Sequence, residues 1–133
     1  MIFVDTSVWV IAFRKRASPE AGRLSALLDR DDVALAAPVR IELLSGASKV
    51  DLPRIRRVLS ALPVFYPSDD TWARIESWVE RSIGAGERFG FADLLIGAIA
   101  ADQTGSIWSL DHDFGRMARV GLVRIYEPTA GGS

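Results

Sequence analysis

Five short apolar runs of strand length, residues 1–4, 33–36, 62–66, 106–110 and 122–126, are separated by segments with helical periodicity. Strands that alternate with helices point to an α/β chain whose sheet is mostly parallel and covered on both faces. Open sheets of that kind bind their ligands at the carboxyl ends of the strands. The first run, Met1-Ile2-Phe3-Val4, stops there at a carboxylate, Asp5, and passes through Thr6 and Ser7 into the apolar stretch Val8-Trp9-Val10-Ile11. With 133 residues, 49% of them hydrophobic, the chain can bury one core and is too short for two. A single domain over residues 1–133 is expected, with a loose tail from about residue 128 onward.

The helical segments carry their own punctuation. Residues 6–14 place Val8, Ile11 and Ala12 at helical spacing and end in Arg14-Lys15-Arg16, cations suited to a helix C-terminus. Ser18-Pro19-Glu20 reads as a cap, a first-turn proline and a first-turn acid before Leu24, Leu27 and Leu28. Pro38 opens a helix bearing Ile41 and Leu44 on one side and Glu42 on another, and Gly46 closes it. Asp51 can cap a helix whose stripe is Leu52, Ile55, Leu59 and Leu62. The proline in residues 62–66 predicts an edge strand. Ser68 caps a longer helix with Trp72, Ile75, Val79 and Ile83 facing one way and Trp78 beside them. Residues 92–101 are apolar nearly all round apart from Asp93, so that helix should be buried.

Two acids, Asp5 and Asp111, end predicted strands, while Glu42 and Asp93 lie near the starts of helices that line the same sheet edge. Taken singly, each has an ordinary explanation: Asp5 and Asp111 can cap helices, and Glu42 and Asp93 can pair with Arg40 or Arg88. Taken together, they repel one another, and an unpaired buried charge costs roughly several kcal/mol. A bound cation compensates such a cluster. The chain has no cysteine and one histidine, His112, which excludes thiolate and multi-histidine centres and leaves oxygen ligands, the preference of magnesium or manganese. Asp113 and His112 stand close enough to Asp111 to join the site, or to be solvated residues at a helix start. Thr6 and Ser109 put hydroxyls beside two of the acids, where they can steady a carboxylate or a bound water.

Bulk charge decides little, since the formal net charge is −1. The 14 arginines against 2 lysines include Arg14, Arg16, Arg54, Arg56 and Arg57, which are solvated faces or phosphate tracks. The large aromatics Trp9, Phe13, Trp72 and Trp78 are core residues or, on neighbouring helices, a partner surface. The chain opens on a strand pattern and holds no apolar run of transmembrane length, so neither a leader nor a membrane span is expected, and the expected compartment is the cytoplasm.

The fragments Ile2-Phe3-Val4-Asp5-Thr6-Ser7, Ile41-Glu42-Leu43-Leu44, Asp93-Leu94-Leu95-Ile96-Gly97-Ala98 and Trp108-Ser109-Leu110-Asp111-His112-Asp113-Phe114 together resemble the PIN domain, and within it the VapC-type toxins of toxin–antitoxin modules. Ser109 stands where many relatives carry threonine, and Gly97 where alanine is usual. The resemblance implies a metal-dependent endoribonuclease with Asp5, Glu42, Asp93 and Asp111 as its acidic set and Asp113 as an added ligand. It also implies a three-layer α/β/α fold with strand order 3-2-1-4-5, a homodimer, and an antitoxin whose tail blocks the site. On this reading Mg2+, with Mn2+ as substitute, is held by Asp5, Asp93 and Asp111, and Glu42 orients or deprotonates water.

Other readings of the pattern are a PIN nuclease of RNA processing that is no toxin, and a catalytically silent module binding nucleic acid or protein. A phosphatase of the haloacid dehalogenase type also starts from an acid after the first strand, but it wants a second acid two residues on, where Ser7 stands.

Overall fold

A computed structural model describes residues 1–128. The elements follow one another as β1 (Ile2–Val4), α1 (Thr6–Arg14), α2 (Pro19–Asp29), β2 (Val33–Ala36), α3 (Ala37–Gly46), α4 (Leu52–Ser60), β3 (Val64–Phe65), α5 (Asp69–Gly84), α6 (Phe91–Asp102), β4 (Ser106–Trp108), α7 (His112–Arg119) and β5 (Arg124–Ile125). The strands form one five-stranded sheet of order β3-β2-β1-β4-β5, parallel throughout. Every residue of β1 and β2 is buried, as strands covered on both faces require. β3, the strand expected at an edge, is at one; the Pro63 carbonyl still accepts the Leu35 N–H at 2.9 Å. The expected tail lies almost wholly outside the described residues.

Local chemistry sets the helix starts. Ser18 accepts the Ala21 N–H at 3.1 Å with Pro19 at the first helical position. Ser68 and Thr71 form a reciprocal capping box at the head of α5. Asp51 occupies the N-cap of α4 without a side-chain cap bond, and instead Ser48 Oγ accepts the Asp51 N–H at 3.1 Å. α6 is buried from Leu94 to Ala100. Gly97 lets it approach the Met117 and Trp78 side chains, since a Cβ there would stand 2.9 Å from the Met117 methyl.

Three helix faces differ from the periodicity. On α1 the buried residues are Val8 and Trp9, because the Trp9 indole Nε1 donates to the Val4 carbonyl at 3.1 Å and is thereby held against the sheet. On α3, Val39 and Leu43 are buried and Ile41 is 60% exposed. Of the expected pair Leu44 packs partly against the core, and only Ile41, two residues from both Val39 and Leu43, lies on the opposite face. α5 is rotated by one residue: Thr71, Ile75, Trp78 and Ser82 face inward, while Trp72, Val79 and Ile83 are exposed. The turn is fixed at its head by Thr71, whose hydroxyl bonds Asp102 of α6, and Arg74 adds an ion pair to the same carboxylate at 2.8 Å.

Candidate metal centre

The parallel register builds the site. Val4 pairs with Trp108, so the residues that follow them, Asp5 and Ser109, emerge side by side from the middle of the sheet. The Asp5 N–H donates to the Trp108 carbonyl at 2.9 Å, which extends the ladder one step into the turn. Ser109 Oγ then donates to Asp5 Oδ2 at 2.7 Å and accepts the Asp111 N–H at 3.0 Å. Ser7 Oγ donates to the same Oδ2 at 3.1 Å and accepts the Leu110 N–H at 3.0 Å. With both hydroxyl protons spent on Asp5, the 3.2 Å contact between Ser7 and Ser109 is left without a proton of its own. Asp5 is buried, at 8% exposure, and held by this double donation.

The other acids arrive on helices. Glu42 lies on the exposed side of α3 and is tied to the turn after β1 by Thr6 Oγ1, which donates to its Oε1 at 3.1 Å. Asp111 caps α7, accepting the Asp113 N–H on Oδ1 at 2.9 Å. Asp93 rides in the first turn of α6. Carboxylate oxygens of Asp93, Asp111 and Asp113 all lie within 4.8 Å of one another. The Asp93 carboxyl is pushed up from 3.8 to about 6, first by burial, then by the charges of Asp111, Asp113 and Asp5, and by a hydrogen bond with Asp113.

The donor set fits a hard divalent cation. It is all oxygen, as Mg2+ or Mn2+ requires. Asp5, Glu42 and Asp111 are each steadied through one oxygen, and among the described residues no hydrogen bond reaches the other. The gathered negative charge that raises Asp93 is the charge a cation would neutralise.

The sequence-predicted acids thus fall into two groups. Asp93 and Asp111 meet with Asp113, a residue expected only as an added ligand, and the Asp5 charge reaches Asp93. Glu42 stands apart, joined to the site through Thr6. Among the described residues neither Glu42 nor Asp93 forms an ion pair with Arg40 or Arg88. Sequence reasoning missed Ser7 as an Asp5 ligand, and it missed Arg116, which donates to Asp113 Oδ1 at 2.6 Å and pairs with Glu87. Its placement three residues after Asp113, one helical turn away, was the available signal. Beside the acids an open groove of about 600 Å³ is lined by Ser109, Asp111, His112, Phe114, Arg116 and Arg119.

A parallel sheet of order 3-2-1-4-5 with acids converging at its carboxyl edge is the architecture of the PIN domain, and residues 2–120 match that family. The chain belongs to the PIN domain family. Within it the chain is 32% identical over 125 residues to the VapC ribonuclease Mb1587 of Mycobacterium bovis, covering 90% of this chain and 93% of that protein. Ribonuclease VapC11 of Mycobacterium tuberculosis matches to the same extent. Among solved structures, the fold is shared with VapBC2 from Rickettsia felis bound to a promoter DNA fragment, with a TM-score of 0.78 at 19% identity, over 97% of this chain and 100% of that one. VapBC-1 from Haemophilus influenzae gives a TM-score of 0.73 at 19% identity, over 96% of this chain and 98% of that one.

Proposed function

We propose that this chain is a divalent-metal-dependent endoribonuclease and the toxin of a VapBC-type toxin–antitoxin pair. The observation that carries the proposal is the convergence of Asp93, Asp111 and Asp113 within 4.8 Å, beside a buried Asp5, at the carboxyl edge of the sheet. Asp5, Asp93 and Asp111 would hold the ion, Mg2+ with Mn2+ as substitute, and Asp113 would add a ligand. When bound, such an ion lowers the pKa of a coordinated water and offsets charge on the attacked phosphate.

The chain's own residues supply the rest. Ser7 and Ser109 fix Asp5 through Oδ2, so Oδ1 would be the oxygen offered to a cation. Thr6 holds Glu42 through Oε1, and its other oxygen would be the one to orient a water or accept its proton. The groove along α7 gives a single strand a path past the acids, with Arg119 as a cation for its phosphates. The partners of this reading are single-stranded RNA, a second copy of the chain and a cognate antitoxin, and its place of action is the cytoplasm. Among the described residues no helix is long and apolar enough to cross a membrane.

The test is cleavage of defined RNAs by the purified, antitoxin-free chain with Mg2+, with chelator and with Asp5→Asn. Cleavage with Mg2+ that falls at least about a hundredfold with chelator or the substitution is expected. Activity unchanged by both would refute a metal-dependent nuclease. Growth arrest on inducing the chain alone separates a toxin from a nuclease of ordinary RNA processing.

A further inference from the structure

Arg116 has a set of contacts that the proposed chemistry does not use. It sits one turn into α7, half-buried, and its Nη1 donates to Asp113 Oδ1 at 2.6 Å. Its Nε donates to Glu87 Oε2 at 2.9 Å, Nη2 reaches the same oxygen, and Nη2 also donates to the Arg88 carbonyl at 3.2 Å. The guanidinium carbon lies 4.8 Å from the centre of the Phe89 ring. Glu87, Arg88 and Phe89 belong to the segment that leads into α6, whose first turn carries Asp93. One side chain therefore grips both the helix that presents Asp111 and Asp113 and the approach to the helix that presents Asp93.

We infer that Arg116 is a positioning residue for the cation site, bridging Asp113 to Glu87 and so setting the spacing between the acids of α6 and those of α7. The inference rests on the metal-dependent reading above. A planar fork suits the task, because a guanidinium engages two carboxylates in fixed directions at once, which an ammonium does not. The bridge also opposes the separation that repulsion among Asp93, Asp111 and Asp113 favours while no cation is bound.

Positioning and simple charge make opposite predictions. A cation beside the acids, acting by charge alone, repels an incoming divalent ion, so its removal would tighten metal binding. If Arg116 positions the acids, its removal loosens binding even though a positive charge has gone.

The experiment is Mn2+ binding to the purified full chain, followed by electron paramagnetic resonance at a temperature where circular dichroism shows each variant folded. Arg116→Gln and Arg116→Lys are expected to weaken binding about tenfold each, the range seen when groups that orient metal ligands are removed. Glu87→Gln, outside the acid cluster, gives a smaller loss. The double variant Glu87→Gln/Arg116→Gln should bind like Arg116→Gln alone, because the two residues act through one bridge. Tighter or unchanged binding by Arg116→Gln, full retention by Arg116→Lys, or additive losses in the double variant would overturn the inference. Wild-type chain that binds no Mn2+ would overturn the metal-dependent reading itself, and the inference with it.

Discussion

Replacing Asp93 by asparagine should make the metal-free protein more stable while disabling it. The Asp93 carboxyl is raised from 3.8 to about 6, so the folded chain takes up a proton more readily than the unfolded chain does. Below pH 4 both states are protonated and the group contributes nothing. As pH rises through about 6, the folded state must carry the charge partly buried and among Asp111, Asp113 and Asp5, and stability is lost. At about 1.4 kcal/mol per pKa unit the full effect would be about 3 kcal/mol. Asp93 is half-buried, and screening by water reduces this to about 1 kcal/mol. For a chain of this size that corresponds to roughly 4 °C in Tm.

The assay is thermal unfolding with chelator present, wild type against Asp93→Asn, from pH 4 to pH 8. The variant should melt about 4 °C higher at pH 7.5, and the gap should close between pH 6 and pH 4. Saturating Mg2+ should then reverse the order, because only the wild type gains the full binding energy. A variant that melts at or below wild type at pH 7.5 in chelator, or a gap independent of pH, would refute the picture of mutually repelling acids.

Ser109→Ala removes the Asp5 donor and the Asp111 N–H acceptor together, and should lower kcat/KM about tenfold or more, whereas Ser109→Thr keeps the hydroxyl and should retain most activity in the same cleavage assay. Thr6→Val frees Glu42 and should reduce kcat with little change in the urea midpoint, since the bond it breaks is exposed. Gly105→Ala places a Cβ 2.7 Å from the Phe3 ring and 3.2 Å from the Met1 carbonyl, neither of which can retreat, and should cost about 2 kcal/mol or more by urea denaturation. Gly97→Ala brings a Cβ to 2.9 Å from the flexible end of Met117 and 3.0 Å from Val123 Cγ1 but gains about 1 kcal/mol of helix propensity, so it should cost less than Gly105→Ala.

The parallel sheet, the edge position of β3 and the buried α6 were legible because each rests on a local pattern: short apolar runs, one proline, and an apolar stretch without a polar face. The acids were legible for the same reason, since Asp5 and Asp111 each end an apolar run. The inward face of α3 was legible only in part, because Leu44 packs against the core while Ile41, two residues from both Val39 and Leu43, falls on the opposite face. The rotation of α5 was hidden too, since it depends on Thr71 reaching Asp102, which lies 31 residues away. The Glu87–Arg116 pair escaped because its partners come together only through the tertiary fold, 29 residues apart, whereas Ser7 lies two residues from Asp5 and nothing in the local pattern marks its hydroxyl as turning back to that carboxylate.

The central position of β1 has a consequence for the order in which this molecule comes into being. β1 is made first, yet it lies between β2 and β4, and one of its two neighbours is among the last strands to be synthesised. Asp5 waits through 104 residues for Ser109, and the acids of α7 follow it. A nascent chain that stops short of β4 carries Asp5, Glu42 and Asp93 but lacks the strand and helix that bring the last carboxylates to them. On the proposed reading that the chain cuts RNA, a growing chain would gain its full set of acids, and with it the means to cut the messenger that encodes it, only once Asp111 and Asp113 had been added.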